Sequence, residues 1–173
     1  MKFKIIFLFT SLFLFSVSNI AFAQDDKSKR PSPPAEAKGI VDSSHVSIYY
    51  SAPAVKGRQV WGSLVPYGKV WRTGANEATV LEVDKAVQLN GHTLLPGKYA
   101  LFSIPGETEW TFMLNSEWDQ WGAFKYDKSK DVLTFTAIPE ESPVFNERLR
   151  FDIQDKQVSL YWENKKVGFA LGE

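Results

Sequence analysis

"RLRFDIQDKQVSLYWE", residues 148–163, reads as two alternating runs around a short polar break. Leu149, Phe151 and Ile153 share one side of the first run; Val158, Leu160 and Trp162 share one side of the second. Successive side chains of a strand point to opposite faces, so apolar residues at a period of two mark a half-buried strand. With only Gln154–Gln157 between them, the runs make an antiparallel hairpin with one apolar face.

The same signal recurs along the chain. Val46–Tyr50 and Thr79–Val83 read as strands. Val87–Leu89 and Thr93–Leu95 flank Asn90-Gly91, a pair that tolerates the positive φ angles of a tight hairpin turn. Pro96-Gly97 suits the centre of a type II turn and leads into Lys98–Ile104. Trp110–Asn115 and Val132–Ile138 bring the set to about nine strands. One stretch only, Ser116–Gly122, has a helix-like start, with Ser116 placed as N-cap. The expectation is an all-β fold, an antiparallel β-sandwich with at most one short helix; a closed barrel is the alternative. Connections of helix length are missing, which argues against a parallel α/β fold.

The ends of the chain carry different information. Lys2 and Lys4 precede an apolar run from Ile5 to Ile20, and Ala21-Phe22-Ala23 follows. This is the pattern of a secretory signal peptide over residues 1–23, cleaved before Gln24. The run approaches spanning length, so an uncleaved anchor is the competing reading. After cleavage no membrane span is expected, and the destination is periplasmic or secreted. Residues 24–38, QDDKSKRPSPPAEAK, hold three prolines and few apolar side chains, the composition of a flexible leader. Residues 39–173 then form a single domain.

Composition narrows the chemistry. Without Lys2 and Lys4 the chain has 18 basic and 20 acidic residues, a net charge of −2. A near-neutral chain with no basic block offers no footprint for nucleic acid. There is no cysteine, so thiol catalysis, disulfides and thiolate-held metals are excluded.

Five segments are diagnostic in order. "VSIYYSAPAVKGRQVWGSLVPYGKVWRTGANEATVLEV" (46–83) is followed by "NGHTLLPGKYALFSIPG", "EWTFMLN", "DQWGAFKYD" and "WENKKVGF". Together they resemble the bacterial domain-of-unknown-function 2911 family across residues 39–170. One departure is Lys166-Val167-Gly168-Phe169, where the family often has proline before the final phenylalanine. The resemblance implies an exported bacterial envelope protein and carries no established activity, so it transfers no catalytic residue.

The residues themselves supply the site candidates. His45 and His92 stand apart, without the clustered ligands a zinc site requires, so no metal or other cofactor is expected. No Gly-x-Ser-x-Gly elbow or phosphate-binding glycine loop occurs. Pro53–Asn76 is an unusually long connection whose many apolar residues suit a cap folded back over the sandwich. It carries Arg58, Tyr67, Trp71, Arg72 and Asn76, and Glu77 follows. With Trp121 these are the ligand-binding candidates, the rim of an anion or carbohydrate pocket with Trp71 and Trp121 as apolar platforms. The bland alternative is an Arg72–Glu77 clamp that ties the cap to the next strand. A second patch, Asn115–Tyr126, crowds Trp118, Trp121, Phe124 and Tyr126 around Glu117 and Asp119. Those carboxylates lie two apart and diverge on a short helix, so they suit a helix start better than acid–base chemistry.

Three functions follow. The leading one is a non-enzymatic envelope module that binds a small molecule, glycan or envelope protein through the cap and the neighbouring aromatic loop. A hydrolase or lyase acting on envelope polysaccharide or peptide would need Glu77 or Asp119 beside Arg72. The third is a structural part of an envelope assembly.

Overall fold

The structure is a computed structural model that describes residues 26–172, so the expected signal peptide lies outside the described residues. Ten strands follow in order: β1 Pro34–Val41, β2 Ser44–Ser51, β3 Thr79–Val83, β4 Val87–Leu89, β5 His92–Leu94, β6 Gly97–Ile104, β7 Trp110–Asn115, β8 Asp131–Ala137, β9 Glu140–Gln154 and β10 Gln157–Ala170. Six build one antiparallel sheet in the order β1-β2-β3-β6-β7-β8, while β9–β10 and β4–β5 are separate hairpins.

The opening hairpin forms in the expected register. Ile153 pairs with Val158 and Phe151 with Leu160, and both sets of alternating apolar residues are buried. Their face meets Val46, Ile48, Leu81 and Val83 of the large sheet and Phe112 of β7 in one continuous core. This is a two-layer sandwich. The hairpin runs further than the alternation suggests, because its register shifts on either side of Glu163. Glu163 adopts a positive φ of 55°, and the resulting bulge carries β10 on to bury Val167 and Phe169.

Two expectations are corrected here. Residues 34–38, placed in the flexible leader by composition, are the first part of β1, paired from Pro34↔Ser51 to Lys38↔Ser47. β1 is a sheet edge, where proline is tolerated. Its inward series is Ala35, Ala37, Gly39 and Val41, small because the β9 side chains come close. A Cβ on Gly39 would stand 2.5 Å from Ile153 Cγ2. The helix expected at Ser116–Gly122 is also absent. Its backbone instead pairs sideways with the 76–78 segment: Ala78 N–H donates to the Gln120 carbonyl, and Gly122 N–H to that of Asn76. Two three-residue 3₁₀ turns occur elsewhere, Lys27–Lys29 and Lys128–Lys130. Both follow an aspartate whose carboxylate accepts from the serine N–H two residues on.

The long connection does fold back as a cap. Pro53 and Val55 exchange backbone hydrogen bonds with Leu149 and Glu147 of β9, and Trp71 does so with Ser103 of β6. Trp61 and Trp71 of the cap meet Trp110 of β7 and Trp162 of β10, with ring centroids 5.0–6.1 Å apart. Four indoles thus join the cap to both layers, in the edge-on and offset geometries favoured by aromatic quadrupoles.

The opposite face of the large sheet has a smaller core of its own. Ala78 and the half-buried Val70 from the cap, with Ala123 and Tyr126 from the β7–β8 loop, cover Ala100, Phe102 and Met113. The cover stops short of β2, and the site lies at that boundary.

Candidate functional site

The β7–β8 loop is tied at its base. Asn115, fully buried, donates through Nδ2 to the Asp127 carbonyl and to Asp131 Oδ1, both at 2.9 Å, and accepts from Glu117 N–H at 3.0 Å. The Tyr126 hydroxyl donates to the other Asp131 oxygen at 2.5 Å. Burial and that carboxylate push the Tyr126 phenol well above its usual range. On its other side the loop leans on the 76–78 segment through the Glu77–Trp121 bridge.

These ties leave a cavity of about 220 Å³ between the loop and the sheet. Register places Tyr49, Val80 and Ala100 in one row across β2, β3 and β6. Tyr49 and Val80 form part of the floor; Trp118, Asp119 and Gln120 form a wall, with Glu77 and Lys27 at the rim. Tyr49 and Trp118 are each 40% exposed, enough to present ring surface. The volume is below that of a typical drug-sized pocket, so it suits one ring or short chain of a larger ligand.

Glu77 dominates the electrostatics. It accepts from Lys27 Nζ at 2.9 Å and from the Arg30 guanidinium at 2.9 and 3.2 Å. Burial alone would raise its carboxyl pKa, but the hydrogen bonds from Lys27, its own backbone N–H and Arg30 prevail. Together they hold it at about 2, against an ordinary 4.5. Arg30 also lies 5.8 Å from the centre of the Trp121 ring, and Lys98 Nζ 5.1 Å from that of Trp118. Both are cation–π distances.

The sequence candidates separate in space. Glu77 lines the cavity, and Trp121, 54% exposed, flanks it beside Arg30. Trp71 belongs to the indole cluster, stacked on Trp162, with its Nε1 donating to the Gly74 carbonyl at 2.9 Å. Arg58 is spent on the cap, donating to the carbonyls of Val55 and Ala54. Tyr67 packs on Gly62, where an added Cβ would lie 3.1 Å from its ring. Asn76 takes a left-handed φ of 57° and donates to the Ser32 carbonyl at 3.0 Å. Arg72 does not clamp Glu77. It is half-buried beside Gly122, its Nε has no hydrogen-bond partner among the described residues, and burial lowers its pKa.

Sequence reasoning placed Trp118 and Asp119 in a separate patch and missed Tyr49, Gln120, Lys27 and Arg30. One signal was available: strict alternation about Ile48 turns Tyr49 away from the core. Nothing local foretells that Lys27 and Arg30 reach Glu77 from about fifty residues away.

The histidines lie outside the cavity. His45 Nδ1 is 2.9 Å from Asp84 Oδ2, and the Ser44 hydroxyl donates to Asp84 Oδ1. These hydrogen bonds, His45 first, hold the Asp84 carboxyl at about 2. Among the described residues no three histidine or carboxylate side chains gather as a metal would require. No described helix is long and apolar enough to cross a membrane.

Fold and site together define an antiparallel β-sandwich with an aromatic, acidic groove walled by one loop on the outer face of its larger sheet. The family model for the protein of unknown function DUF2911 matches residues 32–171, and the chain belongs to that family. A search of curated proteins and a search of solved structures each gave no match.

Proposed function

We propose that the protein is an exported envelope module that binds a saccharide or similar small polar ligand in the Tyr49–Trp118 groove. One observation carries this reading: two half-exposed aromatic rings border a cavity also lined by Asp119, Gln120 and Glu77. Sugars present apolar C–H faces that stack on aromatic rings, and hydroxyls that pair with carboxylates and amides. Export is supported by the basic start, apolar run and Ala21-Phe22-Ala23. A binding role is favoured over the hydrolase reading because Glu77 is engaged by Lys27 and Arg30 while Arg72, its expected partner, lies beside Gly122.

Binding is tested by titrating a panel of mono- and oligosaccharides into the protein in a calorimeter. A stacking contact of about 1 kcal/mol corresponds to roughly a fivefold change in Kd. Trp118→Ala and Tyr49→Ala should each weaken binding at least that much with unchanged melting temperature. Saccharide binding that both variants retain in full would overturn the assignment of this groove. Amino-terminal sequencing of protein from the producing cell should begin at Gln24; a start at Met1 would overturn export by cleavage.

A further inference from the structure

The groove already holds a ligand-like group supplied by the chain. Lys27, from the segment preceding β1, lines the cavity and places its ammonium 2.9 Å from Glu77 Oε1. Three positive side chains in all sit on the acidic and aromatic surfaces of this region: Lys27 and Arg30 on Glu77, Arg30 beside Trp121, and Lys98 beside Trp118. Lys98 belongs to the sheet and has Glu82 at 3.6 Å. Lys27 and Arg30 belong to an arm with no buried residue in its 3₁₀ turn.

We infer that Glu77, with Asp119 and the Trp118 ring, forms a subsite for a primary ammonium group on the ligand, and that Lys27 is its built-in, displaceable occupant. The inference rests on the binding role proposed above and specifies what the ligand must carry. Two features set its chemistry. A carboxylate and an aromatic ring lining one cavity are groups that select a cation over a neutral hydroxyl. The Lys27 contact itself is weak, since its side chain is 57% exposed and exposed ion pairs add little to stability. An incoming ammonium exchanges one charge-assisted hydrogen bond for another and frees the Lys27 side chain, while Arg30 holds the arm at Glu77. Arg30 keeps Glu77 ionised during the exchange.

The test uses protein from expression of the full chain, titrated with pentane-1,5-diamine, glucosamine and glucose. Lys27→Ala removes the internal competitor and should tighten the diamine and glucosamine by about two- to fivefold, the range set by one exposed ion pair. Glucose should be unaffected. Glu77→Gln should weaken both amines by roughly tenfold or more, as expected for loss of a charge-assisted hydrogen bond. Trp118→Ala, which leaves Glu77 and its partners in place, gives a second loss of amine binding should Glu77→Gln fold poorly. Glucose binding as tight as glucosamine, with neither variant changing the ratio, overturns the ammonium subsite and leaves the saccharide reading standing. Failure of both amines to bind Lys27→Ala overturns the subsite outright. If Lys27→Ala tightens all three compounds equally, the arm acts only as a steric cover and the subsite is again overturned.

Discussion

At the scale of single residues, Glu77 and Trp71 show how adjacent candidates diverge. Both stand in the same polar-aromatic stretch, yet Trp71 is consumed by packing and Glu77 by charge. Truncating Trp71 to alanine removes an indole from a four-ring cluster and its bond to Gly74. Comparable core aromatic truncations cost about 3–5 kcal/mol, and Trp71→Ala should lower the melting temperature accordingly. Glu77 makes a prediction of opposite character, visible only in acid. Its folded pKa of about 2 lies below the ordinary 4.5, so its ionised form contributes stability that is fully present above about pH 4.5. That contribution disappears as pH falls through the folded value near 2. Thermal melts of wild type and Glu77→Gln between pH 7 and 2 should therefore differ above pH 4.5 and converge toward pH 2. A gap that stays constant over the whole range would show that the Lys27 and Arg30 contacts do not govern its titration.

At the scale of elements, legibility followed the origin of each structure's information. The β9–β10 and β4–β5 hairpins announce themselves through alternation and, at Asn90-Gly91, through turn chemistry. β1 does not, because a strand lying close to Ile153 needs Ala35, Ala37 and Gly39 on its inner face, and the two alanines read as linker. Its turn is equally quiet: Asp42 and Ser43 both take positive φ, 47° and 68°, without a glycine. The missing helix at 116–122 has the same explanation, since the 76–78 segment supplies its hydrogen-bond partners from far upstream in sequence, as in Asn76 to Gly122. The candidate groove was legible only in pieces, with Glu77, Trp118 and Asp119 noticed separately. Its assembly depends on the sheet register that brings Tyr49 beside them. The β1–β2 turn offers a direct test. A non-glycine residue in the left-handed region carries a cost of about 1 kcal/mol, and Ser43 contributes its carbonyl, not its side chain, to Lys85. Ser43→Gly should raise stability by about 0.5–1 kcal/mol in a denaturant titration with an unchanged slope. A loss would mean that the freedom glycine adds to the unfolded chain outweighs the strain relieved at position 43.

At the scale of the whole molecule, the question is where the folded unit begins. Composition places the boundary after residue 38, whereas the sheet places it at β1. The contacts on either side differ in kind. Before β1, residues 26–32 hold on through the exposed Lys27 and part-buried Arg30 pairs at Glu77 and single hydrogen bonds to the Ser32 and Pro31 carbonyls from Asn76 and Arg148. From Pro34 onward the chain is a full sheet edge whose Ala37 and Val41 are buried in the common core. Losing the first group costs little, because none of its residues is buried and Glu77, 38% exposed, regains water in place of its partners. Losing the second uncovers β2 and strips the apolar cover from Ile153. A chain lacking residues 26–32 should therefore melt within a few degrees of the intact protein, by the usual conversion of about 1 kcal/mol to several degrees. One lacking residues 26–38 should lose cooperative unfolding or fail to accumulate in soluble form. Equal, near-native melting of both truncations would return residues 34–38 to the leader and make β1 dispensable to the sandwich.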